Sequence, residues 1–365
     1  MKVGLTLEQL GQELVCQSEV KQDYLVSSDK MMMETYGGLP VLRVLDSAGE
    51  DCMEPLELNS TAHRQLSGYL RIPANYYERM LKEYPELLLV HNVNSWLSRT
   101  QEVKMLRTLD GTARAILSNR YWCVDNLQLL QAAVPVIGNM LGVSVVSCGL
   151  TDTHMYVKMV SQRLRDDVVP GDTVQYGVCI TNSEVGMGAI AIQPLLYRLV
   201  CTNGMVVGEH LGTGVRRVHK GTLLTLPGGF SPYYPPGSIH IRGFIDQFQK
   251  ALNEALQGAK FGAIMDRMRL ATQAHIQTQD LTLLLQKIGS AFGLREAEQD
   301  CVRNHLLAGH DMTLYGLSNA VTRYAQDVAS YDRATHLEAM GYDIMTMPRR
   351  QWEHFNQIAA PAAAA

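Results

Sequence analysis

Charge is scarce in this chain, and so are the residue spacings that announce a cofactor. Only 19% of the 365 residues are charged against 46% hydrophobic, and 32 Lys plus Arg nearly balance 36 Asp plus Glu, for a formal net charge of -4. No global positive field marks a polyanion partner, so any nucleic-acid or membrane-surface site has to be local. The seven cysteines, at 16, 52, 123, 148, 179, 201 and 301, are odd in number and never spaced Cys-x-x-Cys. That argues against a disulfide framework and a thiolate zinc site, and it fits a reducing cytoplasm. No window approaches the roughly 18 apolar residues of a membrane span, and MKVGLTLEQLGQEL lacks the apolar core of a signal peptide. The expectation is a soluble, unexported protein without a membrane partner. Walker A, H-E-x-x-H and G-x-S-x-G sequences are all missing, so the easily recognised phosphate, zinc and serine-nucleophile chemistries have no support.

What is present reads as an α+β chain: an antiparallel β-meander with packed helices, followed by a helical C-terminal subdomain. Leu7, Leu10 and Leu14 space a short amphipathic helix, and residues 24 to 58 look extended, so 1–58 forms an N-terminal extended and helical segment. A helical pair follows, broken at Pro73 and Pro85, with Asn59 or Ser60 as cap. EVKMLRTLDGTARAILSNRYW predicts a hairpin turning at Asp110-Gly111, and Asp125 caps a helix that Gly142 closes despite Pro135. VSVVSCGL, THMYVKMV and TVQYGVCIT then form a half-buried antiparallel sheet, because their connections are too short for crossover helices. GAIAIQPLLYRLVC is a strand or a buried helix, which periodicity does not decide. Residues 202 to 243, rich in Gly and Pro, read as loop. Thus 59–243 is an α+β core with a basic Gly/Pro-rich loop, 244–356 a helical subdomain or cap on the sheet, and 357–365 a disordered Ala-rich tail.

Most motif-like features have a plain structural reading. Gly186-Met187-Gly188-Ala189-Ile190-Ala191 fits a dinucleotide fingerprint only formally, because the β-α-β context is missing; a bulge or close backbone contact is the better account. The five-residue spacing of His305 and His310, before Asp311, does not put both rings on one helix face, which leaves a surface or helix-end role. Asp166, Asp167 and Asp172 around Pro170-Gly171 read as a solvated turn, with a divalent-ion site as the alternative.

Charge distribution says more. Between 103 and 165 seven basic residues face three acidic ones, and between 197 and 243 five face one, inside a chain that is acidic elsewhere. The candidate nucleic-acid contacts are Arg107, Arg114, Arg120, Lys158, Arg163, Arg198, Arg216, Arg217 and Lys220, with Tyr121 as a stacking residue. The densest cluster, Arg216-Arg217-x-His219-Lys220, follows Gly212-Thr213-Gly214. Side chains and loop N–H groups together suit successive phosphates there. Tyr121, Trp122, Tyr156, Phe230, Tyr233 and Tyr234 interleave with the basic residues, as in a groove where bases stack. The plainer reading is ordinary basic loops and aromatics packed in a core.

AHRQLSGYLRIPANYYERML, VNSWL and RAILSNRYWCVDN carry a recurring series: A-x-x-Q-L, I-P-x-x-Y, N-x-W-L and R-A-x-L-S-x-R-Y-x-x-x-D-N. With NSEVGMGAIAIQPLLYRLVCTNGMVV and the later AVTRYAQD and LEAMGYDI, the chain from about 24 to 345 resembles the phage- and plasmid-associated proteins of domain of unknown function family 932. The resemblance implies a mobile-element context, a bacterial cytoplasm and work near DNA. The order of helix 125–142 and β-meander 143–181 is similar to the core of single-strand annealing recombinases, a fold-level analogy.

The expectation is therefore a non-enzymatic, cofactor-free, metal-free DNA-binding protein, most concretely a single-strand annealing protein of homologous recombination that assembles into rings or filaments. Annealing needs charge neutralisation and exposed bases, not a nucleophile. The alternatives are an anti-defence or host-takeover protein that binds a host protein, and a metal-dependent nuclease or hydrolase using Asp166, Asp167 and Asp172.

Overall fold

The computed structural model describes residues 1–46, 48–208, 215–221, 230–233, 239–278 and 280–358. The chain begins with helix α1 (Leu7–Val20), started by a capping box: the Thr6 hydroxyl accepts from the Gln9 N–H at 3.1 Å and the Gln9 side chain accepts from the Thr6 N–H at 2.9 Å. Four strands follow: β1 (Lys21–Ser27), β2 (Met31–Tyr36), β3 (Leu39–Val44) and β4 (Leu56–Leu58). They join the hairpin β5 (Val103–Leu109) and β6 (Thr112–Ser118) in one sheet, which β13 (Phe230–Pro232) extends in the order β13-β1-β5-β6-β4-β3-β2. The N-terminal segment thus supplies four strands to the sheet that holds the hairpin. The hairpin turns at Asp110 and Gly111, with φ of 47° and 70°, the left-handed pair that a tight two-residue turn requires.

Helices α2 (Ser60–Tyr69), α3 (Ala74–Glu83) and α4 (Val90–Leu97) cover one face of this sheet, where Leu42, Leu66, Leu106 and Val93 pack together. Asn59 caps α2, as expected, by accepting from the Ala62 N–H. The Pro85 break opens a five-residue π-helical turn, Pro85–Leu89, and a third helix follows it. Two of the recurring sequence patterns have structural roles here. Asn94 clips the edge of β2 by accepting from the Met33 N–H and donating to the Met33 carbonyl, at 2.7 and 2.8 Å. Gln65 accepts from the Ile116 N–H of β6 and donates to the Val185 carbonyl. In both places a side-chain amide substitutes for a neighbouring strand.

After α5 (Asn126–Asn139) comes the second sheet: β7 (Val143–Leu150), β8 (Met155–Asp167), β9 (Thr173–Asn182), β10 (Ile190–Arg198) and β11 (Asn203–Val206), antiparallel and in sequence order, with β12 (Val215–Arg217) also paired to β10. The open segment 186–201 is therefore a strand. Pro194 is tolerated inside it because β12 pairs with Ile190–Ile192 and β11 with Leu195–Arg198, so Pro194 falls between the two partners. The half-buried sheet needs correction. Along β8, Met155, Val157 and Met159 enter the large core, while Tyr156 and Val160 join a second cluster with Tyr331, so both faces are buried.

The helices α6 (Ile239–Leu256), α7 (Phe261–Thr272), α8 (Leu281–Phe292), α9 (Glu296–Gly309), α10 (Leu314–Tyr324), α11 (Tyr331–Met345) and α12 (Arg349–Ile358) share that large core with the second sheet. They cap the sheet, each fully buried Leu contributing about 1.5–3 kcal/mol. His310 ends α9 at φ 52°, and His305 meets Asp327 at 2.8 Å, the helix-end and surface roles expected of them. The 202–243 stretch, expected as loop, instead carries β11, β12, β13 and the start of α6, short strands that pair only through tertiary packing; parts of it, including Gly212-Thr213-Gly214 and Tyr234, and the tail from 359 lie outside the described residues.

Candidate functional site

Side chains alternate along β1 and β5. Val26 and Leu106 point to the helices, while Leu25 and Met105 point to the opposite face with Tyr121 and Cys123. On that second face Asp23 and Arg107 stand directly opposite each other across the β1–β5 ladder. Arg107 Nε and Nη2 donate to the two Asp23 oxygens at 2.8 Å each, Nη2 also reaches Asp125 Oδ1 at 2.9 Å, and Nη1 donates to the Glu184 carbonyl at 2.8 Å. Its side chain is 0% exposed. Glu184, from the β9–β10 connection, lies 3.0 Å from Lys21 Nζ and 2.7 Å from Arg114 Nη2, and accepts from the Asn126 N–H at 2.6 Å. Lys21 is also 3.3 Å from Asp125. Lys21, Arg107 and Arg114 thus match Asp23, Asp125 and Glu184 one for one, the pairing that buried charges require.

This electrostatic closure is visible in the proton affinities. Burial pushes the Glu184 carboxyl upward, but Arg114, Lys21, Arg107 and the Asn126 N–H outweigh it and bring the pKa down to about 2. Burial pushes the Cys123 thiol up to about 12, only partly offset by Arg107, so it is no thiolate nucleophile. The cluster binds the first sheet to the second sheet's β9–β10 connection, and Glu184 is held ionised by the neighbouring cations instead of being poised to move a proton.

A polar chain extends from it. Asn182 Nδ2 donates to the Asn126 side chain at 2.8 Å and the Val124 carbonyl at 3.2 Å, while its oxygen faces His219 Nε2 at 3.0 Å. His219 Nδ1 lies 2.8 Å from the Trp122 carbonyl, and the ring stacks on Tyr121 at 4.9 Å. Burial lowers the His219 pKa against the opposing effect of that carbonyl. Tyr121 in turn donates to the Ser183 carbonyl at 2.7 Å. Gly186 and Gly188 in the same connection are close-packing glycines: an added Cβ would come within 2.7 Å of Leu117 and of the His154 ring, respectively. This is the close backbone contact expected of the formal dinucleotide match.

The ten residues expected at a nucleic-acid surface divide sharply. Arg107 and Arg114 belong to the ion cluster. Lys158 is 0% exposed, paired with Glu338 at 2.6 Å and bonded to Thr335 at 2.9 Å. Arg198 meets buried Asp172 and lies over the Tyr315 ring at 5.5 Å. For these four the phosphate-contact assignment is corrected, because each cation is neutralised by a carboxylate inside the fold. Tyr121 is also corrected, since its ring is buried under His219 and unavailable for stacking on a base.

The exposed set is Arg120, Arg163, Arg216, Arg217 and Lys220. Four of these have neighbouring backbone positions, with Arg216 and Arg217, consecutive on β12, pointing to opposite faces of the sheet. Lys220 bridges Tyr121, the Gly221 N–H donates to the Arg120 carbonyl at 2.7 Å, and Arg216 and Arg217 face Ala191 and Ile190 on β10. The Arg217 guanidinium lies over Trp122 at 4.7 Å. Arg163 is elsewhere: Arg216 is level with Ala191, Thr181 and Tyr156 across the sheet, and Arg163 lies about 20 Å farther along β8 at 3.3 Å per residue.

The acidic cluster also separates. Asp166 pairs with Arg269, Asp167 accepts from the Thr173 hydroxyl, and Asp172 takes Arg198 and the Tyr315 hydroxyl. Among the described residues no three His, Cys, Asp or Glu side chains come together to hold a metal ion, and no helix is long and apolar enough to cross a membrane. All seven cysteines are free.

Residues 114–226 match the family model described as Domain of unknown function (DUF932). The match covers about a third of the chain, and over those residues the chain is similar to that family. No curated protein and no solved structure matches the chain. The matched stretch contains Arg114, Asp125, Asn126, Asn182, Glu184 and His219, and Lys21, Asp23 and Arg107 come from outside it to complete the cluster. Sequence reasoning missed Lys21, Asp23, Asn182, Glu184 and His219 as a group. The available signal was an NSE triplet after a strand, polar residues where the chain turns back into the core.

Proposed function

We propose that the protein binds single-stranded nucleic acid through the strip Arg120, Arg216, Arg217 and Lys220, and works as a cofactor-free, non-enzymatic annealing protein of a phage or plasmid in the bacterial cytoplasm, assembled into a ring or filament. One observation supports the reading: Arg107 and Lys158 are matched by carboxylates inside the fold, while exposed basic residues from two distant stretches of the chain are brought to neighbouring positions beside the Tyr121–Lys220 bridge. A strip of this kind contacts backbone phosphates without reading bases. Neutralising two mutually repelling strands is the main requirement of annealing, and no proton transfer is involved. The separation of Asp166, Asp167 and Asp172 onto different partners favours this reading over metal-dependent hydrolysis. The test mixes two complementary oligonucleotides, one carrying a fluorophore and one a quencher, with and without the full chain. Faster quenching with no strand cleavage supports the proposal; an unchanged rate and no strand binding contradict it.

A further inference from the structure

A cleft of about 580 Å³ opens between α1 and the Arg114–Glu184 pair, within the roughly 300–1,000 Å³ usual for small-molecule sites. It lies toward the start of β6, whereas Arg120 follows that strand's far end, so it is separate from the basic strip and its reading does not depend on strand binding. Arg114, 9% exposed, and Glu184, 3% exposed, form the floor. Their Nη2 and Oε2 atoms are 2.7 Å apart but poorly aligned, and both atoms, with Arg114 Nε, lack a well-formed hydrogen bond. Buried polar groups left this way are uncommon, and although these three atoms are themselves covered, the remaining 9% exposure of the Arg114 side chain gives the cleft access to the pair.

The lining decides the ligand's charge. Glu13 and Asp152 join Glu184 around the cleft, so an anion such as a phosphate monoester meets net repulsion. A cation is drawn by the same carboxylates but cannot use Arg114 on the floor, whereas a neutral ligand that donates to the carboxylates and accepts from Arg114 uses both. Gln9 and Asn59, on the wall, use their side-chain oxygens to cap α1 and α2, which turns the NH₂ end of each amide into the available donor, while the carboxylates supply acceptors. Leu109 and Val185 add apolar lining, suited to the flat face of a ring whose edge hydrogen-bonds.

We propose that this cleft binds a neutral, planar ring with hydrogen-bond donors and acceptors side by side on its edge: a nucleobase or nucleoside without its phosphate. The experiment titrates the full chain with adenosine, guanosine, cytidine and uridine, and separately with their 5′-monophosphates, by calorimetry. At least one nucleoside is expected to bind, with its monophosphate weaker by about tenfold or more from carboxylate repulsion. Cys16→Trp fills the cleft from exposed α1 surface without replacing any residue of the ion cluster, so it is expected to abolish binding while the protein still folds cooperatively. Arg114→Lys tests the floor, and Cys16→Trp keeps the proposal falsifiable if that variant fails to fold. No nucleoside binding up to about 10 mM, equal or tighter binding of the monophosphates, or binding that survives Cys16→Trp each overturns the proposal. None of these outcomes bears on single-strand binding by Arg216, Arg217 and Lys220, which is measured separately.

Discussion

Asp23 and Arg107 stand opposite each other on neighbouring strands, and their two parallel 2.8 Å contacts join segments 84 residues apart in sequence. A two-pronged guanidinium–carboxylate pair in a buried setting fixes direction as well as distance. Here it also brings Asp125 and the Glu184 carbonyl to the same guanidinium, tying the first sheet to the β9–β10 connection.

Removing the cation leaves buried Asp23 without its partner, while Asp125 keeps Lys21. Arg107→Met is expected to cost about 3–5 kcal/mol of stability, read by urea denaturation at neutral pH. The double variant Arg107→Met/Asp23→Leu is expected to recover part of that loss. A cost for the single variant below about 1 kcal/mol, as for an exposed ion pair, would contradict the role of Arg107 in holding the fold.

Asp125 has two duties that two substitutions separate. It is the N-cap of α5, where the Gln128 side chain accepts from its N–H at 3.1 Å, and it also faces Arg107 and Lys21. Asp125→Asn keeps a good capping residue and removes the charge, while Asp125→Ala removes both. The Ala variant is expected to be less stable than the Asn variant by about 1 kcal/mol, and to lose more than the cap alone is worth. Equal melting curves for the two variants would leave the cap without a role.

These examples show which levels of the structure were legible. Asp110-Gly111 marked the hairpin because a two-residue turn needs left-handed φ at both positions, and the spacing of β7 to β9 required antiparallel neighbours. Asn59 and Asp125 were readable as caps because capping is local. The fate of each cation was not readable. Arg107, Lys158 and Arg198 sit in strands like other basic residues, and their partners Asp23, Glu338 and Asp172 come from elements brought beside them only by tertiary packing. The burial of both faces of β8 was missed for the same reason: Lys158 reads as a solvent residue until α11 brings Glu338 over it. Arg216, Arg217 and Lys220 were legible as a cluster, but their meeting with Arg120 depends on the pairing of Tyr121 with Lys220.

The low Glu184 proton affinity makes stability depend on acid in a defined window. Its pKa falls from the ordinary 4.5 to about 2 in the fold, so its contribution is fully present above the unfolded value and is lost as pH falls through the folded one. Between about pH 4.5 and 2 the wild type is expected to lose on the order of 3 kcal/mol from this group. Glu184→Gln is expected to be less stable at pH 7 and to show a flatter stability profile in that window. Parallel wild-type and variant profiles from denaturation at a series of pH values would contradict the assignment.

The exposed strip is the central claim, and the salt dependence of single-strand affinity tests it most directly. Anisotropy of a labelled oligonucleotide, titrated with wild type and with Arg216→Ser/Arg217→Ser/Lys220→Ser at several salt concentrations, gives the slope of log affinity against log salt, alongside the oligomer mass. Each lost phosphate contact lowers the slope by about 0.7, so the triple variant is expected to lose about 2 from it, with weaker binding whatever the base sequence. Loss of the Arg217–Trp122 contact is expected to cost about 0.5–1 kcal/mol of folding stability. An unchanged slope and unchanged affinity, in a protein of unaltered oligomer mass, would contradict it.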